Sequence, residues 1–359
     1  MSTLADNIRA GQVMTQSARS SEAPRIDWVD YAKGLSIILV VMMHSTLSSE
    51  DALRATGWMH PLVEFARPFR IPAFFLIAGL FASRGIDKDW RSFLDSKVLH
   101  FAYFYVLWLT IQFMFRGPVY VAQDGTAEAL RLYLLAFIDP FGTLWFIYLL
   151  PVFFLATRLT LGLPPLVVLI AAALLQTAHI ETGWTLIDEF AGRFVYFYAG
   201  YLSGRWIVTH AEWFRARPIV TALALAVWAS VTALCVSTGL ATLPVVSLAL
   251  GFAGAAAVIA ISVLLARFDV LGFIRLCGQH SLAIYLAFFL PMAVTRIALV
   301  KTGVITDPGT VALLVTSAAV ALPLVLYWLV RGTALGFLFE RPARFRLSTQ
   351  KRTALQPAE

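Results

Sequence analysis

Charge is scarce in this 359-residue chain: Asp, Glu, Lys and Arg make up 14% of it, where a soluble domain carries roughly 25%. Hydrophobic residues make up 59%, which excludes an ordinary soluble enzyme. There are two cysteines, Cys235 and Cys277, both in or beside apolar stretches, so neither a disulfide framework nor a zinc site is expected. No phosphate-cradling glycine loop, zinc-ligand spacing or nucleophile elbow is found, and no fixed-period repeat or low-complexity tract. Residues 1–24 lack the apolar core of a cleavable signal and are expected to form a disordered cytoplasmic extension. The net charge of +7 does not point to nucleic acid, because the basic residues lie in short loops and at the tail, as in a membrane protein.

What is present is a series of apolar runs long enough to cross a bilayer. They predict an all-α, polytopic bundle of about ten transmembrane helices, near 29–48, 68–83, 98–116, 142–159, 163–179, 190–208, 217–238, 243–266, 280–300 and 310–333. Between the third and fourth, Thr126 to Asp139 is amphipathic and reads as an interfacial or re-entrant helix. Pro72, Pro151 and Pro291 fall within or at the ends of these runs, where proline kinks a helix. With the N-terminus inside, 20 of the Lys and Arg residues fall on the cytoplasmic side and 8 on the other. That bias predicts an N-in, C-in membrane protein. The expected organisation is an extension (1–24), one membrane domain (25–340) and a basic cytoplasmic tail (341–359).

Lys33 and His44 stand out within the first run. Eleven residues at about 100° each return to within roughly 20° of the start, so both project from one helix face. Polar and ionisable residues inside hydrocarbon usually line a cavity or a pathway. Asp30 falls on the same stripe. A histidine in the outer half of the bilayer can stay neutral and take a proton, its unperturbed pKa lying close to neutrality, which is what a general base acting on a hydroxyl requires. Glu64, Arg67 and Arg70 precede the second run, either as an interfacial ion pair or as a hydrogen-bonding clamp beside His44. Arg193 sits among aromatics and suits the same clamp. Trp145 opens the fourth run as an interfacial anchor or a wall of the site. His280, Ser281 and Tyr285 open the ninth, where the first two either cap the helix or bind substrate.

Four strings, in order, carry a resemblance. They are Asp30-Tyr31-Ala32-Lys33-Gly34 with His44, Phe69-Arg70-Ile71-Pro72-Ala73-Phe74-Phe75-Leu76-Ile77-Ala78-Gly79, Leu144-Trp145-Phe146, and Gly278-Gln279-His280-Ser281-Leu282-Ala283-Ile284-Tyr285-Leu286. They resemble the acyltransferase 3 family of bacterial membrane O-acyltransferases, with the fucose 4-O-acetylase-like branch looking most similar, from Arg25 to about Arg331. Family members carry a basic residue, ten intervening positions and a histidine in the first helix. Lys33 stands where many have arginine, Arg70 where the family has histidine, Ala78 where it has serine, and Phe288 where relatives often have a second histidine. The resemblance implies a ten-helix enzyme that moves an acyl group, usually acetyl, from cytoplasmic acyl-CoA to a hydroxyl of a sugar or envelope glycan. Acyl-CoA would be a co-substrate, with no bound cofactor. His44 would be the catalytic residue, and Lys33 would meet the donor from the inner leaflet. Two other readings remain open: a transporter or flippase of a lipid-linked or small anionic substrate, and a non-catalytic membrane scaffold.

Overall fold

The computed structural model describes residues 26–140 and 142–347, and the described chain is helical throughout, with no strand. The extension at 1–24 and the tail beyond Leu347 lie outside the described residues. Helix α1 (Asp27–Leu53) is unbroken over 27 residues, about 40 Å. It opens with Asp27 and Asp30 in its first turn, where carboxylates favour the positive end of the helix dipole. It stops at Arg54, which adopts a left-handed conformation (φ 53°). A short α2 (His60–Ala66) leads into α3 (Arg70–Leu80), and two four-residue turns and a π-helical turn (Leu94–Leu99) lead into α4 (His100–Leu135).

The second half continues with α5 (Trp145–Leu159), α6 (Pro165–Thr177), α7 (Thr185–Ala216), α8 (Pro218–Ser237) and α9 (Pro244–Phe268). Then come α10 (Gly272–Gln279), α11 (Ser281–Ala287), α12 (Phe289–Thr302) and α13 (Pro308–Val330). Each of the ten predicted stretches thus has a helical counterpart. Among the described residues, five helices are long and apolar enough to span a membrane, or six if α11 and α12 count as one bent span. Three counterparts, α3, α5 and α6, have only 11 to 15 residues. The long α7 carries Asp188, Glu189, Arg193 and Arg205 among its apolar residues.

The breaks fall where the backbone chemistry demands them. Gly125 (φ 87°, ψ 167°) interrupts α4, so the amphipathic stretch from Thr126 is a separate limb. That limb folds back: the Tyr133 hydroxyl lies 2.9 Å from Thr110 Oγ1 and its ring packs on Phe113. Pro291 has no N–H to give the carbonyl of Ala287, and α11 and α12 meet there at 53°. Pro72 lies in the first turn of α3, where proline is tolerated, while Pro151 is carried inside α5.

Helix α1 is the hub, packed by α3, α9, α10, α11 and α13. Its approach to α10 needs two glycines. A Cβ on Gly34 would lie 1.9 Å from the Ile274 carbonyl oxygen, and one on Gly278 would lie 1.6 Å from that of Asp30. Helices α3 and α7 cross the same way. A Cβ on Gly79 would meet the Phe197 carbonyl oxygen at 2.1 Å, and one on Gly200 that of Leu76 at 2.2 Å. Hydrocarbon gives apolar helices no hydrophobic reason to associate, so such small-residue contacts supply the packing. At the Asp27 end, the segment after α13 is pinned to the π-helical turn. Arg341 and Asp95, both buried, pair at 2.9 Å, and Leu347 N–H donates to the same carboxylate at 2.8 Å.

Candidate active site

His44 lies about 16 Å beyond Lys33 along α1, at 1.5 Å per residue. Around it, α1 contributes Val40 and Met43, α3 contributes Ile71 and Phe74, the start of α5 contributes Thr143, Trp145 and Phe146, and α11 contributes Tyr285. Together they line a cavity of about 20 Å³, room for about one water. The imidazole packs against Phe288, with ring centroids 5.6 Å apart and planes at 36°. Phe288 is fully buried at the break between α11 and α12. The residue standing where relatives often have a second histidine is therefore an aromatic ring in contact with His44.

Tyr285 fixes the wall opposite His44. Its hydroxyl donates to the Thr143 carbonyl at 2.6 Å and accepts from the Ile147 N–H at 3.3 Å. Ile147 is the third residue of α5, and the first four N–H groups of a helix have no partner within it. Leu144, at the N-cap, supplies no side-chain bond. Tyr285 therefore caps α5 from another helix and joins the Leu144-Trp145-Phe146 string to the Gly278–Leu286 string. Gln112 of α4 adds a bond to Thr143 Oγ1 at 3.3 Å, and both side chains are buried.

Two guanidinium groups act electrostatically on His44, those of Arg70 and Arg116. Arg70 is buried at the start of α3, donates to the Val63 carbonyl at 3.2 Å and leaves Nε without a partner. Arg116 rests over the Phe289 ring at 4.3 Å. Neither has a carboxylate within ion-pair distance among the described residues. Arg193 pairs with Glu189 one turn back at 2.9 Å, and its charge reaches Arg70.

The expected site residues divide accordingly. His44, Trp145 and Tyr285 share one cavity, and Arg70 lies within electrostatic reach of it. Lys33 stands apart, its ammonium 6.0 Å from the Phe81 ring centroid. Asp30 is buried at the α1–α10 crossing, its carbonyl facing Gly278. Glu64 and Arg67 pair with each other at 3.4 Å on a partly exposed surface and do not line the cavity. His280 turns away, with Nδ1 3.1 Å from the Leu276 carbonyl oxygen and its ring against Tyr327. Ser281 is the first residue of α11, without a side-chain cap from His280. Arg116 and Thr143 were not among the expected site residues. Arg116 closes an apolar run and Thr143 adjoins the Leu144-Trp145-Phe146 string, so both signals were present in the sequence. Among the described residues, no cluster of three or more His, Cys, Asp or Glu side chains can hold a metal ion.

Comparison with known proteins bears on this arrangement. Inner membrane protein YcfT of Escherichia coli (strain K12) is 27% identical, over 56% of this chain and 64% of that protein, so the chain spans less than two thirds of its relative. No solved structure matches. The sequence pattern of the acyltransferase 3 family, described as an acyltransferase domain, matches residues 26–328. That stretch holds α1 to α12, nearly all of α13 and all the residues around His44, and the chain belongs to the acyltransferase 3 family.

Proposed function

We propose that this protein is a membrane O-acyltransferase, moving an acyl group, acetyl in the simplest case, from cytoplasmic acyl-CoA to a hydroxyl of a sugar or envelope glycan. It is a multi-pass protein of the bacterial inner membrane, like YcfT. The observation that carries the reading is one imidazole lining a cavity, with the charges of Arg70 and Arg116 acting on it, inside a domain of this family.

In this mechanism a ring nitrogen of His44 accepts the acceptor's hydroxyl proton as the oxygen attacks the thioester carbonyl. The carbonyl π electrons move onto oxygen, and the positive potential of Arg70 and Arg116 stabilises that oxyanion. Collapse breaks the C–S bond, and the departing thiolate takes the proton from the imidazolium. Ten crossings, N-in and C-in, put Lys33 toward the inner leaflet and His44 toward the outer one. The pantetheine arm of the donor then covers the distance between them. A cavity of about 20 Å³ is smaller than either substrate, so both require movement of its wall. The 53° break beside Phe288 is the place where the wall has no continuous hydrogen-bond ladder to resist it.

The same break favours a second reading, since transporters bind substrate at discontinuous helices. One experiment separates the two. In cells carrying His44→Ala, the enzyme reading predicts loss of the protein-dependent acyl ester from envelope glycans, read by mass spectrometry, with normal amounts of inserted protein. Unchanged ester content in those cells contradicts it.

A further inference from the structure

A second cavity, of about 510 Å³, lies between α7 and α9 with Leu76 of α3 as its floor. Helix α7 turns Ser203, Trp206, Ile207 and His210 into it, and α9 turns Phe252 and Ile259. Steps of three and four residues trace one helix face, so this is a groove running along the helices. From Ala199 to Phe214, both in its lining, α7 rises about 22 Å, against roughly 30 Å for the hydrocarbon core of a bilayer. Its volume falls in the range of about 300–1,000 Å³ typical of small-molecule sites.

The lining is almost entirely carbon. The Ser203 hydroxyl is spent on its own helix, donating to the Ala199 carbonyl. The polar tips gather along the outer edge, where exposed Trp206 stacks on His210 at 4.0 Å and Trp213 lies further toward Phe214. The groove and the His44 cavity are separate, and α3 divides them: Ile71 and Phe74 face one, Leu76 the other.

Arginines outnumber carboxylates at one end of the groove, Arg215, Arg217 and Arg267 against Asp27 and Glu212. The Arg217 guanidinium lies 5.1 Å from the Trp213 ring centroid, and Arg267 donates to the Arg215 carbonyl oxygen. Arg217 and Arg267 are exposed, and neither has a carboxylate within ion-pair distance among the described residues. An apolar trough with indoles at its edge and arginines at one end has the polarity of a single lipid: hydrocarbon, interface, anionic headgroup.

We propose that this groove binds one anionic phospholipid, with an acyl chain along α7 from Phe214 toward Ala199 and the phosphate on Arg217 and Arg267. The charge at the rim chooses this occupant over a zwitterionic lipid. It also disfavours a second copy of the chain, which would bring the same cationic rim against itself.

Native mass spectrometry of the detergent-purified full chain, incubated with equal amounts of phosphatidylglycerol and phosphatidylcholine, tests this. One phosphatidylglycerol per protein is expected to survive, in preference to phosphatidylcholine. Ala256→Phe fills the groove from an exposed position in its lining, and is expected to abolish the adduct. Arg217→Gln is expected to reduce the preference about fivefold, the effect of roughly 1 kcal/mol per basic residue at an anionic surface. His44→Ala is expected to retain the lipid, which keeps this result independent of the proposed enzymatic reading. Equal retention of the two lipids, an undiminished adduct in Ala256→Phe, or displacement by palmitoyl-CoA at lower concentration than by phosphatidylglycerol each overturns the proposal.

Discussion

Replacing Tyr285 by Phe removes one oxygen atom from the wall opposite His44 and nothing else. The ring stays in its buried slot, against Phe146 at 5.6 Å. Two backbone groups lose their partner, the Thr143 carbonyl and the Ile147 N–H, held at 2.6 and 3.3 Å. Stranding a buried donor or acceptor costs about 1–3 kcal/mol, a rise of roughly fivefold to a hundredfold in the unfolding equilibrium constant. The effect should begin locally, in the first turn of α5, whose N–H groups have no side-chain cap from Leu144. Hydrogen exchange read by mass spectrometry should therefore speed up at residues 145–149 while α1 and α9 keep their protection. Acyl transfer should fall with it, because Trp145 and Phe146 line the His44 cavity. Were Tyr285 a group that touches substrate and nothing more, activity would drop with the exchange pattern unchanged. That result would refute the capping role.

Other perturbations test the remaining contacts. Gly278→Ala should sharply lower the yield of folded protein in detergent, because its Cβ would lie 1.6 Å from the Asp30 carbonyl oxygen and overpacking costs about 1–3 kcal/mol; Gly272→Ala, with nothing within 4 Å, is the silent control. Arg341→Met should destabilise by about 3–5 kcal/mol by breaking its buried ion pair with Asp95. Adding Asp95→Leu should recover much of that loss in a double-mutant cycle of thermal unfolding. Asp307 caps α13 and its carboxyl is held below the usual carboxylate range by the hydroxyl and N–H of Thr310. Its contribution is present above the unfolded pKa, about 3.9, and disappears as pH falls through the lower folded value. Asp307→Ala should thus melt at lower temperature than the parent at neutral pH, with the gap closing under acid.

The helices were legible because apolar runs announce themselves locally: all ten stretches proved helical, and the kink at Pro291 followed from one proline, while the third run, expected to end at 116, continues as helix to Asp124. Spanning was less legible. The 11 residues of α3 and the charges along α7 leave length and composition short of a full crossing. Around His44 the sequence named the imidazole, Trp145, Tyr285 and Arg70, because each sits in a string with a recognisable order. It could not say that Tyr285 reaches the Thr143 carbonyl 142 positions earlier, or that the charge of Arg116 reaches His44, since such meetings depend on how helices pack. The glycines show the converse. Gly34, Gly79 and Gly278 lie inside the quoted strings, and the structure gives their reason as backbone contact at helix crossings. Glu64 and Arg67 were legible as a pair, and a pair is what they form.

The most direct test of the central claim uses purified protein in lipid nanodiscs, acetyl-CoA labelled in the acetyl group, and the glycan fraction of the host envelope as acceptor. Transfer of label to glycan is expected from the parent protein, with a loss of about 10²–10⁴-fold in His44→Gln at unchanged thermal stability. A His44→Gln protein that labels glycan at the parent rate would contradict the account.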